Sequence, residues 1–96
     1  MNDEIRVLIA EDDPMVMEIY RKFLISIEGF CVAGQASNGK TALKMLRERR
    51  VDLLILDIFM PELNGIETLK AIRARGDGVD VIVISAAQEI ETVNQV

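Results

Sequence analysis

Histidine is absent from the 96 residues, and cysteine occurs once, as Cys31. Without histidine there can be no His-based triad, no His-ligated metal and no self-contained phosphohistidine chemistry. A single thiol excludes an internal disulfide and a multi-thiolate zinc site. Within "GFCVAG" it reads as a small buried apolar residue. Tryptophan is missing and aromatics make up 4% of the chain, so aliphatic side chains must fill the core. No apolar run approaches the ~18 residues of a membrane span. The opening "MNDEIRVLIAEDD" has no basic stretch followed by an apolar segment, so no signal peptide is evident and a cytoplasmic location is expected. Positive charge is also short. Eleven Lys and Arg face 16 Asp and Glu, a net charge of −5, which argues against non-specific attraction to nucleic acid or an anionic membrane. The abundant functional group is carboxylate.

The length allows one compact domain, residues 1–96, with one core. Short, nearly continuous apolar runs at 5–10, 30–34, 51–57 and 79–85 read as strands of a parallel sheet buried on both faces. Between them the apolar spacing is helical. Val16, Ile19, Tyr20, Phe23, Leu24 and Ile27 follow Pro14, and this helix is expected to end near Gly29. Leu43, Met45 and Leu46 mark a second helix. A third contains Ile66, Leu69 and Ile72 and is stopped by Gly76. Ile90 and Val93 begin a fourth, and "EIETVNQV" breaks off within that pattern without a cap, so the polypeptide reads as cut short. Alternation of this kind implies right-handed βαβ units and an open, doubly wound α/β sheet.

In such a sheet ligands bind beyond the carboxyl ends of the strands. The first strand runs into Glu11, Asp12 and Asp13, and the third ends in Asp57. If those strands are neighbours, the acids share a crevice. Like charges about 4 Å apart cost roughly 4 kcal/mol at an effective dielectric of 20, so the cluster requires a cation, a shared proton or much water. Oxygen ligands alone suit a hard ion, Mg²⁺ or Mn²⁺. An ionised aspartate beside that ion can attack phosphorus and form an acyl phosphate.

Each acid also has a plainer use. Asp13 before Pro14 makes a good helix cap. Glu11 and Asp12 fit solvated loop acids, and Asp57 fits a strand-end turn. Pro61 stiffens the next loop, while Asn64 with Glu67 forms a capping box on local pattern. Ser85 ends the fourth strand, where its hydroxyl could bind a phosphoryl oxygen, but Ser85 with Gln88 also matches a capping box.

"GQASNGKT", residues 34–41, satisfies the nucleotide-binding pattern G-x-x-x-x-G-K-[ST]. A true P-loop should follow a long buried strand, and "FCVAG" is short. That reading also leaves Glu11 and Asp12 unused. Ser37 or Asn38 capping the second helix, with Gly39 easing the turn, accounts for the same residues.

Taken in order, "VLIAEDD", "DLLILDIFMPELNG" and "VIVISA" resemble the receiver domain of two-component response regulators, across the whole chain. The resemblance implies the flavodoxin-like, CheY-like strand order 2-1-3-4, with the fifth strand and helix missing. It makes Asp57 the acceptor of a phosphoryl group from a partner histidine kinase. Glu11 and Asp12 match the family's acidic pair, with Asp12 the more direct Mg²⁺ ligand; Asp57 is itself a metal ligand by the same resemblance, and the backbone carbonyl of Phe59 matches a further one. Ser85 matches the hydroxyl that bonds the phosphoryl group and switches with it. The texture resembles regulators of the citrate and dicarboxylate-sensing type, which act on transcription through a separate DNA-binding domain.

The resemblance therefore implies a signalling module and not an enzyme, making no direct nucleic-acid contact and no membrane contact. It also implies that a chain without the last strand and helix lacks the family's Lys, takes up phosphate poorly from acetyl phosphate, and self-associates. Two other functions compete: a Mg²⁺-dependent phosphatase of haloacid-dehalogenase type, which wants an Asp where Phe59 stands, and a degenerate receiver serving only as an interaction domain.

Overall fold

The computed structural model describes residues 3–60 and 63–84. Seven elements alternate: β1 (Ile5–Ala10), α1 (Pro14–Ile25), β2 (Phe30–Ala36), α2 (Gly39–Glu48), β3 (Leu53–Asp57), α3 (Gly65–Ala74) and β4 (Asp80–Ile84). All strand pairs are parallel, and the sheet order is β2-β1-β3-β4. The doubly wound sheet expected from the alternation is thus present, with β1 and β3 side by side.

The helix boundaries follow from capping chemistry. Asp13 Oδ1 accepts from the amides of Met15 at 2.9 Å and Val16 at 3.5 Å, so α1 starts at Pro14, whose missing N–H would have no partner there anyway. Asn38, not Ser37, caps α2. Asn64 and Glu67 form the reciprocal capping box expected from their spacing. Gly76 takes a positive φ of 78° just beyond α3, the conformation that ends a helix at least cost for a residue without Cβ. One boundary falls elsewhere: α1 stops at Ile25, not near Gly29, because Ser26 closes it by bonding back to Phe23.

The sheet separates two apolar clusters. Leu8, Leu54, Leu56 and Ile72 lie in the larger one, beneath α2 and α3. Val7, Ile9 and Leu24 form the smaller one beneath α1. The expectation of strands buried on both faces holds for the centre of β1 and fails at the edges. β4 is largely exposed, and β2 is only half-buried along most of its length. An edge strand has one sheet neighbour, and among the described residues only α1 covers the second face. β2 also outruns the expected 30–34, reaching Ala36, with a register shift opposite Val7 and Leu8 that absorbs one extra residue. Pro61, Ser85, Gln88 and the helix expected from Ile90 and Val93 lie outside the described residues.

Candidate functional site

Pairing of β1 with β3 runs to Ala10 opposite Leu56. The next residue on each chain, Glu11 and Asp57, must therefore meet across the strand ends. One carboxylate oxygen from each of Glu11, Asp12 and Asp57 falls within 4.8 Å of the others. They line a cavity of about 290 Å³ with Asp13, Val16, Tyr20, Phe59 and Ile84. The convergence inferred from the sequence is what the fold produces. Asp13 rims the cavity too, but its carboxylate is engaged as the α1 cap.

The carboxylates are held by backbone. Asp13 N–H donates to Glu11 Oε2 at 2.9 Å, and Phe59 N–H donates to Asp57 Oδ1 at 3.2 Å. The loop after β3 is tied by Ile58 N–H to the Ile84 carbonyl and by Gly65 N–H to the Ile58 carbonyl. Gly65 is present for closeness and not for an unusual φ. A Cβ there would lie 2.5 Å from the Asp57 carbonyl oxygen and 2.6 Å from Ile58 Cα. Gly65→Ala should therefore lower stability by about 1–3 kcal/mol and shift the Asp57 backbone. Urea unfolding together with Mg²⁺ titration checks this, and wild-type values in both would contradict it.

Burial and charge crowding both favour the protonated acids. Burial pushes the Glu11 carboxyl up to about 7, the Asp13 amide opposes the rise, and the charges of Asp57 and Asp12 add to it. Burial also raises Asp57, with the Phe59 amide acting against it. Without a cation, Glu11 keeps its proton to near neutrality. The donors fit a small hard ion: all are carboxylate oxygens, and they lie within 4.8 Å of one another.

Tyr20 is a site residue that the sequence reading placed only in the helix core. It lines the cavity one turn after Val16 on the same helical stripe, a relation visible in the i, i+4 spacing. Its hydroxyl pKa is raised, first by burial and then by the charges of Glu11 and Asp57. Phe59 lines the same cavity. Ser85 lies outside the described residues.

The P-loop look-alike behaves as a helix cap. Thr41 N–H, which a phosphate cradle would need, donates instead to Asn38 Oδ1 at 2.8 Å. The small cavity beside Ser37 and Thr41 is bordered by Glu11 and Asp12, whose charge repels a bare phosphate. The strand before the look-alike is not short, however: β2 is seven residues long. Nor does Gly39 merely ease a turn. A Cβ there would run into Thr68 Oγ1 and the Leu63 carbonyl oxygen, so the glycine lets α2 approach α3. Gly39→Ala is expected to cost about 1–3 kcal/mol, read as a lower unfolding midpoint. An unchanged midpoint would show that the helices can part freely.

An open parallel sheet in this order, with an oxygen-donor crevice where the strand order reverses, defines a doubly wound domain of the CheY-like class. The family model for the response regulator receiver domain matches residues 7–96, and the chain belongs to that family. It is a receiver domain of a two-component response regulator. It is 50% identical over 91 residues to the transcriptional regulatory protein MalR of Bacillus subtilis, covering 95% of this chain and 39% of the relative. It is 47% identical to the probable C4-dicarboxylate response regulator DctR of Priestia megaterium, covering 94% and 40%. Among solved structures, the MaeR response regulator bound to beryllium trifluoride is 40% identical, with TM-score 0.81, covering 94% of this chain and 74% of that one. The chain thus spans about two fifths of the length of these curated relatives. Among the described residues, no helix is long and apolar enough to cross a membrane.

Proposed function

We propose that the chain, as one receiver module, takes a phosphoryl group onto Asp57 from a sensor histidine kinase in the presence of Mg²⁺. The observation that carries this is the meeting of Glu11, Asp12 and Asp57 within 4.8 Å at the strand ends. Asp57 supplies the nucleophilic oxygen, and the Phe59 amide orients it. Attack forms the Oδ–P bond as the bond from phosphorus to the donor nitrogen breaks, and the donor imidazole, already protonated on its other ring nitrogen, leaves as the neutral histidine of the partner. Glu11, Asp12 and Asp57 would hold the metal, with the Phe59 carbonyl as a further ligand. The ion, when bound, neutralises charge between the acids and the incoming phosphoryl group. Ser85 is assigned the hydrogen bond to that group.

The donor histidine comes from the partner, which agrees with its absence from this chain. The name of the DctR relative supports a C4-dicarboxylate signal and that of MalR a transcriptional output; this reading assigns the output to another domain and the place of action to the cytoplasm. Turnover as a haloacid-dehalogenase-type phosphatase is disfavoured by Phe59, which stands where that chemistry needs a second Asp. The domain is accordingly assigned the role of acceptor and not of enzyme.

Tyr20 gives a direct assay. It is the one tyrosine of a chain without tryptophan and it lines the cavity. Titration with Mg²⁺, then with beryllofluoride as a phosphoryl mimic, should change its emission saturably. Emission indifferent to both would remove the basis for the proposal.

A further inference from the structure

Two Asn–Gly pairs stand at matching places in the fold. Asn38 precedes Gly39 at the start of α2, and Asn64 precedes Gly65 at the start of α3. This dipeptide is especially open to loss of the side-chain amide, because a residue without Cβ leaves its backbone nitrogen unshielded and free to reach the asparagine Cγ. The P-loop look-alike thus retains one chemistry that capping does not use.

The two pairs match in burial, backbone and cap. Both asparagines are half-buried and both glycines are buried. Both asparagine backbones are extended, with ψ of 169° at Asn38 and 174° at Asn64. Each side-chain oxygen accepts a backbone amide: Thr41 N–H donates to Asn38 Oδ1 at 2.8 Å, and Glu67 N–H to Asn64 Oδ1 at 2.9 Å. Such a donor polarises the Cγ carbonyl and supports the oxyanion that forms on attack. The difference lies in the attacking nitrogen. Gly65 N–H donates to the Ile58 carbonyl at 2.8 Å, so its proton is held. Gly39 N–H has no acceptor among the described residues. It is one of the orphan amides of a helix start, and the positive end of the helix dipole favours loss of its proton. Asn64 carries a second restraint, since Glu67 Oε1 accepts its backbone N–H at 3.3 Å.

We infer that Asn38 is a site of spontaneous deamidation in the folded chain, and that the same dipeptide at Asn64 is protected. Gly39 N attacks Asn38 Cγ and closes a cyclic imide. The Gly39 proton passes to water, the Cγ–Nδ2 bond breaks, and the nitrogen leaves as ammonia. Water then opens the ring. Opening at Cγ leaves aspartate, which still caps α2. Opening at the main-chain carbonyl leaves isoaspartate, with an extra methylene in the backbone just before Gly39. There is no slack at that point, because even a Cβ on Gly39 would collide with Thr68 Oγ1 and the Leu63 carbonyl oxygen. The isoaspartyl product therefore parts α2 from α3.

Peptide mapping by mass spectrometry tests this on the 96-residue chain, aged folded at mildly alkaline pH and in parallel in urea. In the folded chain, conversion at Asn38 should outrun that at Asn64 by roughly fivefold to tenfold, the effect of one hydrogen bond that must break first. In urea the two rates should converge, because the dipeptides are then alike. Global unfolding treats both sites equally, so the ratio isolates the folded state. An isoaspartyl methyltransferase should mark the aged folded chain at position 38, and the marked fraction should unfold at lower urea than the parent. Equal rates at the two sites in the folded chain overturn the inference. So does an Asn38 that survives in the folded chain while the unfolded chain is converted.

Discussion

Asp57→Asn should abolish phosphoryl uptake, lowering labelling by at least about a hundredfold against the parent chain under any phosphodonor that labels the parent. The amide keeps the size and the Phe59 hydrogen-bond geometry of Asp57 but offers no anionic oxygen to phosphorus. The fold should survive, and the metal-free variant should be more stable than the parent near pH 8, because one member of a crowded acid cluster has lost its charge. Asp12→Asn gives the contrast: it should weaken Mg²⁺ binding and slow labelling without removing the acceptor. Phosphate-affinity gels read the labelling, and urea curves read the fold. Equal labelling of parent and Asp57→Asn would move the acceptor elsewhere and undo the assignment.

The second large effect is the linkage of pH and Mg²⁺ to stability. Glu11 has an ordinary carboxylate pKa in the unfolded chain and about 7 in the fold. Between those values the native state binds more protons than the unfolded one. Metal-free stability therefore falls as pH rises from about 4.5 to 7 and levels off above. A shift of this size is worth about 1–3 kcal/mol, allowing for partial solvent screening. Mg²⁺ should reverse the loss, adding about 2.7 kcal/mol at a hundred times its dissociation constant. It should act more strongly at pH 8 than at pH 6, where it must first displace the Glu11 proton. Glu11→Gln should flatten the metal-free pH profile. Unfolding curves in chelator and in Mg²⁺ at those two pH values decide the matter; a metal-free protein more stable at pH 8 than at pH 5 would refute the buried-acid reading.

How much of this was readable beforehand depended on whether the relevant contact was local. The caps at Asp13 and Asn64 were legible because each is a bond between residues two or three apart. The end of α1 was misplaced because apolar spacing continues through Ile27, whereas the helix is closed by the Ser26 side chain. The length of β2 was understated because the apolar run stops before Gln35, although at a sheet edge a polar side chain can simply face water. Tyr20 was counted as core because its spacing fits the helix stripe. Packing of α1 beside the end of β1 brings it to the acids as well.

The sequence by itself determined the alternation of strands and helices, the capping, the chemistry of the site through its carboxylates, and the exclusion of histidine, disulfide and zinc chemistry. These follow from residue identity and short-range spacing. The tertiary structure decided that Glu11 and Asp57 stand side by side, that Gly39 and Gly65 are glycines for want of room, and that α1 packs on β1 and β2. Each of these is set by how separate elements pack, and packing joins residues that spacing along the chain does not relate.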